Sequence, residues 1–123
     1  MDFRFEEHHR KTLQEIRAYL DGLQSSGTLD LDRVAEDFGG RFGQYEGTAR
    51  DFIRQLGKDG WLGLATPKQY GGQGRSFIEQ WLFHEELEYR RLPTGAMLTQ
   101  AVIPTVTMFA SEEMKSRFLP LCL

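Results

Sequence analysis

Leu13, Ile16, Leu20 and Leu23 recur at three- and four-residue spacing, and Phe5 and His9 carry the stripe backwards. That period marks one face of a helix and predicts a first helix from about Asp2 to Leu23, its end bracketed by Gly22 and Gly27. The next stretch, "GTLDLDRVAEDFGGRFGQYEG", has a weaker pattern. Leu31, Val34, Ala35 and Phe38 suit a short helix, but Gly39, Gly40 and Gly43 interrupt it, so the region reads as loop-rich. Phe52, Ile53 and Leu56 then mark the inner face of a helix from about Thr48 to Lys58, ended by Gly60. "WLGLATP" is too short and too glycine-rich to separate a turn from a strand. Ser76 is a natural N-cap, and Glu79 three residues on completes a capping box for a further helix, which runs to about Arg91 and stops before Pro93. The uncharged segment Leu92 to Ala110 predicts another helix, bent at Pro104. A last one opens at Ser111, with Glu112 and Glu113 complementing the positive end of the helix dipole, and reaches Pro120. No alternating strand pattern and no internal repeat is present. The fold class is therefore all-α, a single-domain bundle of about five helices over residues 1–123.

Composition narrows the partners. At 40% hydrophobic and 27% charged residues, the chain has the balance of an ordinary globular domain with one moderate core. Its net charge of −3 supplies no basic stripe for nucleic acid. A single cysteine, Cys122, excludes an internal disulfide and suits a reducing cytoplasm. "MDFRFEEHHRK" places charges where a signal peptide needs an apolar core. Leu92 to Ala110 is long enough to cross a bilayer, yet Pro93, Gly95, Gln100, Pro104 and four threonines dilute it, so no membrane span is expected. "RFLPLCL" stops on apolar residues, which leads to the expectation of a piece of a longer chain.

Four constellations invite a chemical reading. Gly71, Gly72 and Gly74 precede a helix start with Arg75 close by, but the spacing is G-G-x-G with no strand before it, and a P-loop's G-K-[ST] is missing. A chain reversal is the preferred reading over a phosphate cradle. His8 and His9 point about 100° apart on a helix, and His84 with Glu88 makes only two ligands, so no metal site is assigned. Projected at 100° per residue, Ile78, Trp81, Leu82, Tyr89 and Leu92 share a face with Glu85 at its centre and Glu86 on its flank. Glu85 is therefore expected to be buried, either as an acid or base with a raised pKa or, the preferred reading, as a structural pair with Arg54 or Arg50. Trp61 and Trp81 are both expected in packed interfaces. Finally, Met97, Leu98, Val102, Met108 and their threonines suit either plain core or the wall of an apolar pocket.

Three motifs together resemble the N-terminal helical domain of the acyl-CoA dehydrogenase family. "DGWLGLATPKQYGGQGRS" is similar to the family's G-W-x-G, x-P-x-x-Y-G-G-x-G segment, "HEELEY" to its E-E-L helix, and "IPTVTMFASEEMKSRFLP" to its G-P-T, E-E-Q-K, R-F/Y-L-P signature. The match runs from about Arg50 to Pro120 and more loosely through the first helix. Ile103, Ala110 and Met114 depart from the family's glycine, glycine and glutamine, which touches the detail of the bend near Pro104. The resemblance implies an FAD enzyme that converts an acyl-CoA to an enoyl-CoA and passes electrons to an acceptor flavoprotein. It implies three parts: this domain, a β middle domain and a C-terminal helical bundle, in a parent that is a homo-oligomer. Most flavin contacts and the catalytic glutamate would lie in the later two parts, so no catalytic or cofactor-binding residue is assigned here, Glu85 and Glu86 included, and the chain alone is expected to bind no FAD. Leu98, Thr99, Val102 and Thr105 are the residues expected to wall the acyl-chain cavity. Two other functions are weighed beside this one: a non-catalytic helical interaction module derived from the family, and a lipid-binding bundle without flavin.

Overall fold

The computed structural model describes residues 5–39 and 45–123. Their regular structure is entirely helical: α1 (Glu7–Ser25), α2 (Leu31–Phe38), α3 (Gly47–Lys58), α4 (Phe77–Tyr89), α5 (Ile103–Phe109) and α6 (Glu112–Cys122). Two 3₁₀ turns, Trp61–Gly63 and Lys68–Tyr70, sit between α3 and α4, and a π-helical stretch, Met97–Val102, leads into α5. The all-α expectation holds, with six α-helices in place of about five. "WLGLATP" resolves to a 3₁₀ turn.

The additional helix is α2, in the region read as loop-rich. Its caps explain why it forms. The Asp30 carboxylate accepts from the Asp32 and Arg33 amides at 3.2 Å each, and the Gln24 side chain accepts from the Leu31 amide at 2.6 Å. Gly39, at φ 50°, ends the helix in the left-handed region. Leu31 and Val34 are buried against α1 and α3, so two short-range caps and one tertiary face outweigh the interrupting glycines. Gly40, Gly43 and the expected start of α1 at Asp2 lie outside the described residues.

The main core joins Ile16 and Leu20 of α1, Phe52 and Leu56 of α3, Phe83 and Leu87 of α4, and Trp61, Leu64 and Leu92 from the connections. Trp61 is buried between Phe83, stacked at a 5.2 Å centroid distance, and Tyr19 at 4.8 Å. A smaller cluster of Tyr70, Ile103 and Leu119, with Leu98, Val106, Cys122 and Leu123 against it, ties α5 and α6 to the second 3₁₀ turn.

Helix α4 starts as its sequence announces, with both halves of the Ser76–Glu79 capping box formed. It ends two residues early, at Tyr89, in a Schellman arrangement with Arg91 at φ 58° where glycine is usual. The Leu92 amide bonds to Leu87 O and the Arg91 amide to Glu88 O.

The face that α4 buries differs from the helical projection. Glu85, expected at the centre of the buried face, is exposed, and so are Ile78 and Tyr89. Trp81, expected in a packed interface, is 51% exposed. The buried arc instead carries Gln80, Leu82, Phe83, His84, Glu86 and Leu87. Apolar residues ring α4 on every side, so periodicity alone does not choose the arc. The choice follows from partners. Glu86, 5% exposed, receives Arg17 Nε of α1 at 3.0 Å and Arg90 Nε at 2.9 Å, one on each carboxylate oxygen. Arg90 also reaches Asp21 at 2.7 Å. The expected partners lie elsewhere: Arg54 faces Asp51 on its own helix at 3.9 Å, and Arg50 is exposed.

Candidate functional site

The glycine turn before α4 is a closed loop. The amides of Gly71 and Gly72 bond to Lys68 O and Pro67 O; those of Gln73, Gly74 and Arg75 bond to Gly63, Thr66 and Leu64 O at 2.9, 2.8 and 2.8 Å. The Ser76 amide bonds to the Glu79 carboxylate at 2.9 Å. Every N–H from Gly71 to Ser76 is therefore spent inside the protein, which leaves none in the glycine turn itself to hold a phosphate. Arg75 is spent as well, in a two-pronged pair with Glu15 of α1 at 2.7 and 2.9 Å. A side chain on Gly72 would collide with the Thr66 carbonyl, so glycine is required there by close approach. The chain-reversal reading stands, and the loop fixes residues 65–67 beside α4.

Opposite that loop runs the uncharged segment. The expected bend near Pro104 takes the form of a π turn: the Ile103 amide reaches Leu98 O, five residues back, directly before the proline that lacks an amide. Between this turn and α4 lies an apolar cleft in two contiguous lobes. One, of about 230 Å³, is lined by Ala65, Thr66, Phe77, Gln80, Thr99 and Ile103 among others. The second, of about 220 Å³, shares Phe77, Gln80, Thr99 and Pro104 and adds Trp81, His84 and Gln100. Phe77, at 66% exposure, stands at the mouth common to both.

The four residues singled out from the sequence are distributed around this segment. Thr99 is buried and lines both lobes. Leu98 turns to the Tyr70–Ile103–Leu119 cluster. Val102 lines a separate apolar groove of about 260 Å³ with Val106, Met114, Phe118 and Cys122. Thr105 is exposed. A π turn advances the chain by a different angle per residue than an α-helix, so positions that share an α-helical face are parted by it. Sequence reasoning missed Phe77, Gln80 and Thr66. The available signal was Phe77 itself, a large apolar residue immediately after an N-cap, where solvent exposure is normal.

His84 is the buried titratable group of the cleft. The Thr99 hydroxyl donates to Gly95 O at 3.1 Å, so it can only accept from His84 Nε2, also at 3.1 Å. His84 Nδ1 is then the acceptor for the Gln100 Nε2 amide. The ring is thus held neutral with its proton on Nε2, and burial pushes its pKa down from 6.5 to about 4. The unfolded chain therefore binds a proton between these values that the folded chain refuses. Stability should be full above pH 6.5 and fall by up to ~3 kcal/mol as pH drops towards 4. Urea midpoints at neutral pH and near pH 4.5 check this; an equal decline in His84→Gln would assign the loss to other groups. Glu79, whose pKa desolvation raises but the Ser76 amide and Thr12 hydroxyl lower on balance, adds its own loss only at lower pH.

Residues 6–123 match the family model described as "Acyl-CoA dehydrogenase, N-terminal domain". The chain belongs to the acyl-CoA dehydrogenase family. It is 37% identical over 114 residues to "Acyl-CoA dehydrogenase FadE29" of Mycobacterium tuberculosis, covering 90% of this chain and 27% of that protein. Against "Acyl-CoA dehydrogenase FadE26" of the same organism the figures are 34% over 108 residues, with 87% and 26% covered. Among solved structures, the "Tcur3481-Tcur3483 steroid ACAD" superposes with a TM-score of 0.77 at 36% identity, over 99% of this chain and 30% of that one. The ChsE4-ChsE5 complex from Mycobacterium tuberculosis gives 0.72 at 31% identity, over 98% and 28%. The chain thus spans about a quarter of the length of the curated acyl-CoA dehydrogenases it matches. Among the described residues, no helix is long and apolar enough to cross a membrane.

Proposed function

We propose that this chain is the N-terminal helical part of an FAD-dependent acyl-CoA dehydrogenase, where the segment that carries Leu98, Thr99, Val102 and Thr105 forms one wall of the acyl-chain cavity, with Thr99 as its residue in the cleft. The observation that carries the reading is the apolar cleft beside the π turn, with Thr99 in both of its lobes. Membership of an oxidoreductase family supports the chemistry, the α,β-dehydrogenation of an acyl-CoA thioester. The flavin supplies the redox chemistry when bound. The residues of the glycine turn do not fit it, because their amides and Arg75 are already engaged. Its contacts, and the catalytic base, belong to middle and C-terminal domains, and the isolated chain is inert. The parent assembles from several subunits in the cytoplasm; the two-component names of the structural relatives make mixed subunits an arrangement to test beside a homo-oligomer.

The test mixes the purified chain with FAD and then with a fatty acyl-CoA or, given the "steroid ACAD" likeness, a steroid side-chain acyl-CoA. Colourless protein after gel filtration is expected. A stoichiometric yellow complex that bleaches on adding either thioester would overturn the assignment of flavin and base to other domains.

A further inference from the structure

Several polar side chains line the cleft, and most are engaged with one another or with the backbone: His84 with Thr99 and the Gln100 amide, and Thr107 with Ile103 O. Gln80 is only 8% exposed, and its Oε1 accepts from the Ala65 amide at 3.0 Å. An amide can only donate, so the oxygen must face it, which fixes the orientation of the carboxamide. The Nε2 group is thereby turned elsewhere and makes no hydrogen bond among the described residues. Thr66, 3% exposed, lines the first lobe beside Gln80, and its hydroxyl likewise makes none. Among the described residues no fully enclosed side-chain nitrogen or oxygen lacks a partner, so both free groups keep access to open space. The open space that Gln80 and Thr66 line is the cleft.

We propose that Gln80 and Thr66 form a polar recognition point in this cleft, selecting an apolar acyl group that carries an oxygen, as a ketone or hydroxyl, remote from its thioester. The inference rests on the cavity-wall reading and names the ligand class for it. An engineered cavity of about 150 Å³ holds a benzene molecule, so each lobe accommodates a substituted six-membered ring. A purely apolar occupant would strip water from the Gln80 donor and the Thr66 hydroxyl and return nothing. An occupant with an oxygen accepts from Nε2 and keeps the gain of burying its carbon skeleton. Sites that hydrogen-bond their ligand discriminate against analogues lacking the partner far more strongly than apolar pockets do.

Two ring probes of the same shape test this on the ¹⁵N-labelled chain: cyclohexanone, and methylenecyclohexane, in which a CH₂ group replaces the oxygen. Amide spectra are followed up to each probe's solubility limit. Both probes are expected to move signals of the cleft residues, and only the ketone to move the Gln80 side-chain amide. The affinity ratio of ketone to hydrocarbon should fall roughly tenfold in Gln80→Met and several-fold in Thr66→Val. Using the ratio removes the difference in hydrophobicity between the probes. Thr66→Val also leaves the Ala65 contact intact, should Gln80→Met disturb folding. If both probes bind at the cleft with the same ratio in all three proteins, the recognition point is overturned and the cavity wall stands. If neither probe perturbs the cleft, both readings fall together.

Discussion

Glu86→Ala is expected to destabilise this chain by about 3 kcal/mol, the low end for breaking a buried pair from one side. The carboxylate is the hub of a three-part contact between α1 and the end of α4. Both of its oxygens are occupied, at 3.0 Å by Arg17 and 2.9 Å by Arg90, in a position that water barely reaches. Removing it strands Arg90 half-buried with only Asp21 to answer it. Arg17 is largely exposed and recovers its hydration, which is why the larger values for fully enclosed pairs do not apply. Urea denaturation measures the loss. Glu85→Ala, one residue away and exposed, serves as the control and should change stability by no more than ~0.5 kcal/mol. Equal effects for the two variants would dismiss the account of which arc of α4 is buried.

Trp61→Ala should cost about 3–5 kcal/mol, the range for truncating a large buried aromatic. The indole fills the space between Tyr19 of α1 and Phe83 of α4, so its loss opens a cavity where three elements meet. The 3₁₀ turn that carries it is pinned on its far side by Gln73, whose amide and side chain bond to Gly63 O and Gly60 O. That anchoring limits how far the backbone can collapse into the void, which favours the upper part of the range. A shift in denaturation free energy below 1 kcal/mol would mean that the indole is not a packing keystone. Trp81→Ala provides the contrast: half in solvent, it should cost much less in this chain.

The contrast between the two tryptophans shows where sequence reading succeeds. Trp61 follows a helix-ending glycine in a segment with no amphipathic alternative, so burial is the plain expectation and the structure agrees. Trp81 lies on a helix with apolar residues on all sides, and there composition states that something is buried without stating which side. The same ambiguity misplaced Glu85. Charge offered a discriminator, since a buried carboxylate needs cations. Yet the sequence offers arginines to either carboxylate, and only the placement of α1, which brings Arg17 to Glu86, decides between them.

Local chemistry was legible throughout. The Ser76–Glu79 capping box, the helix start at Ser111, the stripe of α1 and the absence of strand alternation are properties of a few neighbouring residues, so any fold of this chain must respect them. The family motifs were legible for the same reason, because a closed loop such as Gly63 to Arg75 needs its glycines in fixed order. Three features were not settled without tertiary contact. The short helix α2 forms because α1 and α3 cover Leu31 and Val34; the arc of α4 is chosen by Arg17, far away in sequence; and the cleft exists because a loop, a helix and a π turn meet. Periodicity records how many apolar residues a helix offers, whereas burial depends on which surfaces arrive to meet them, and that is decided by packing between elements distant along the chain.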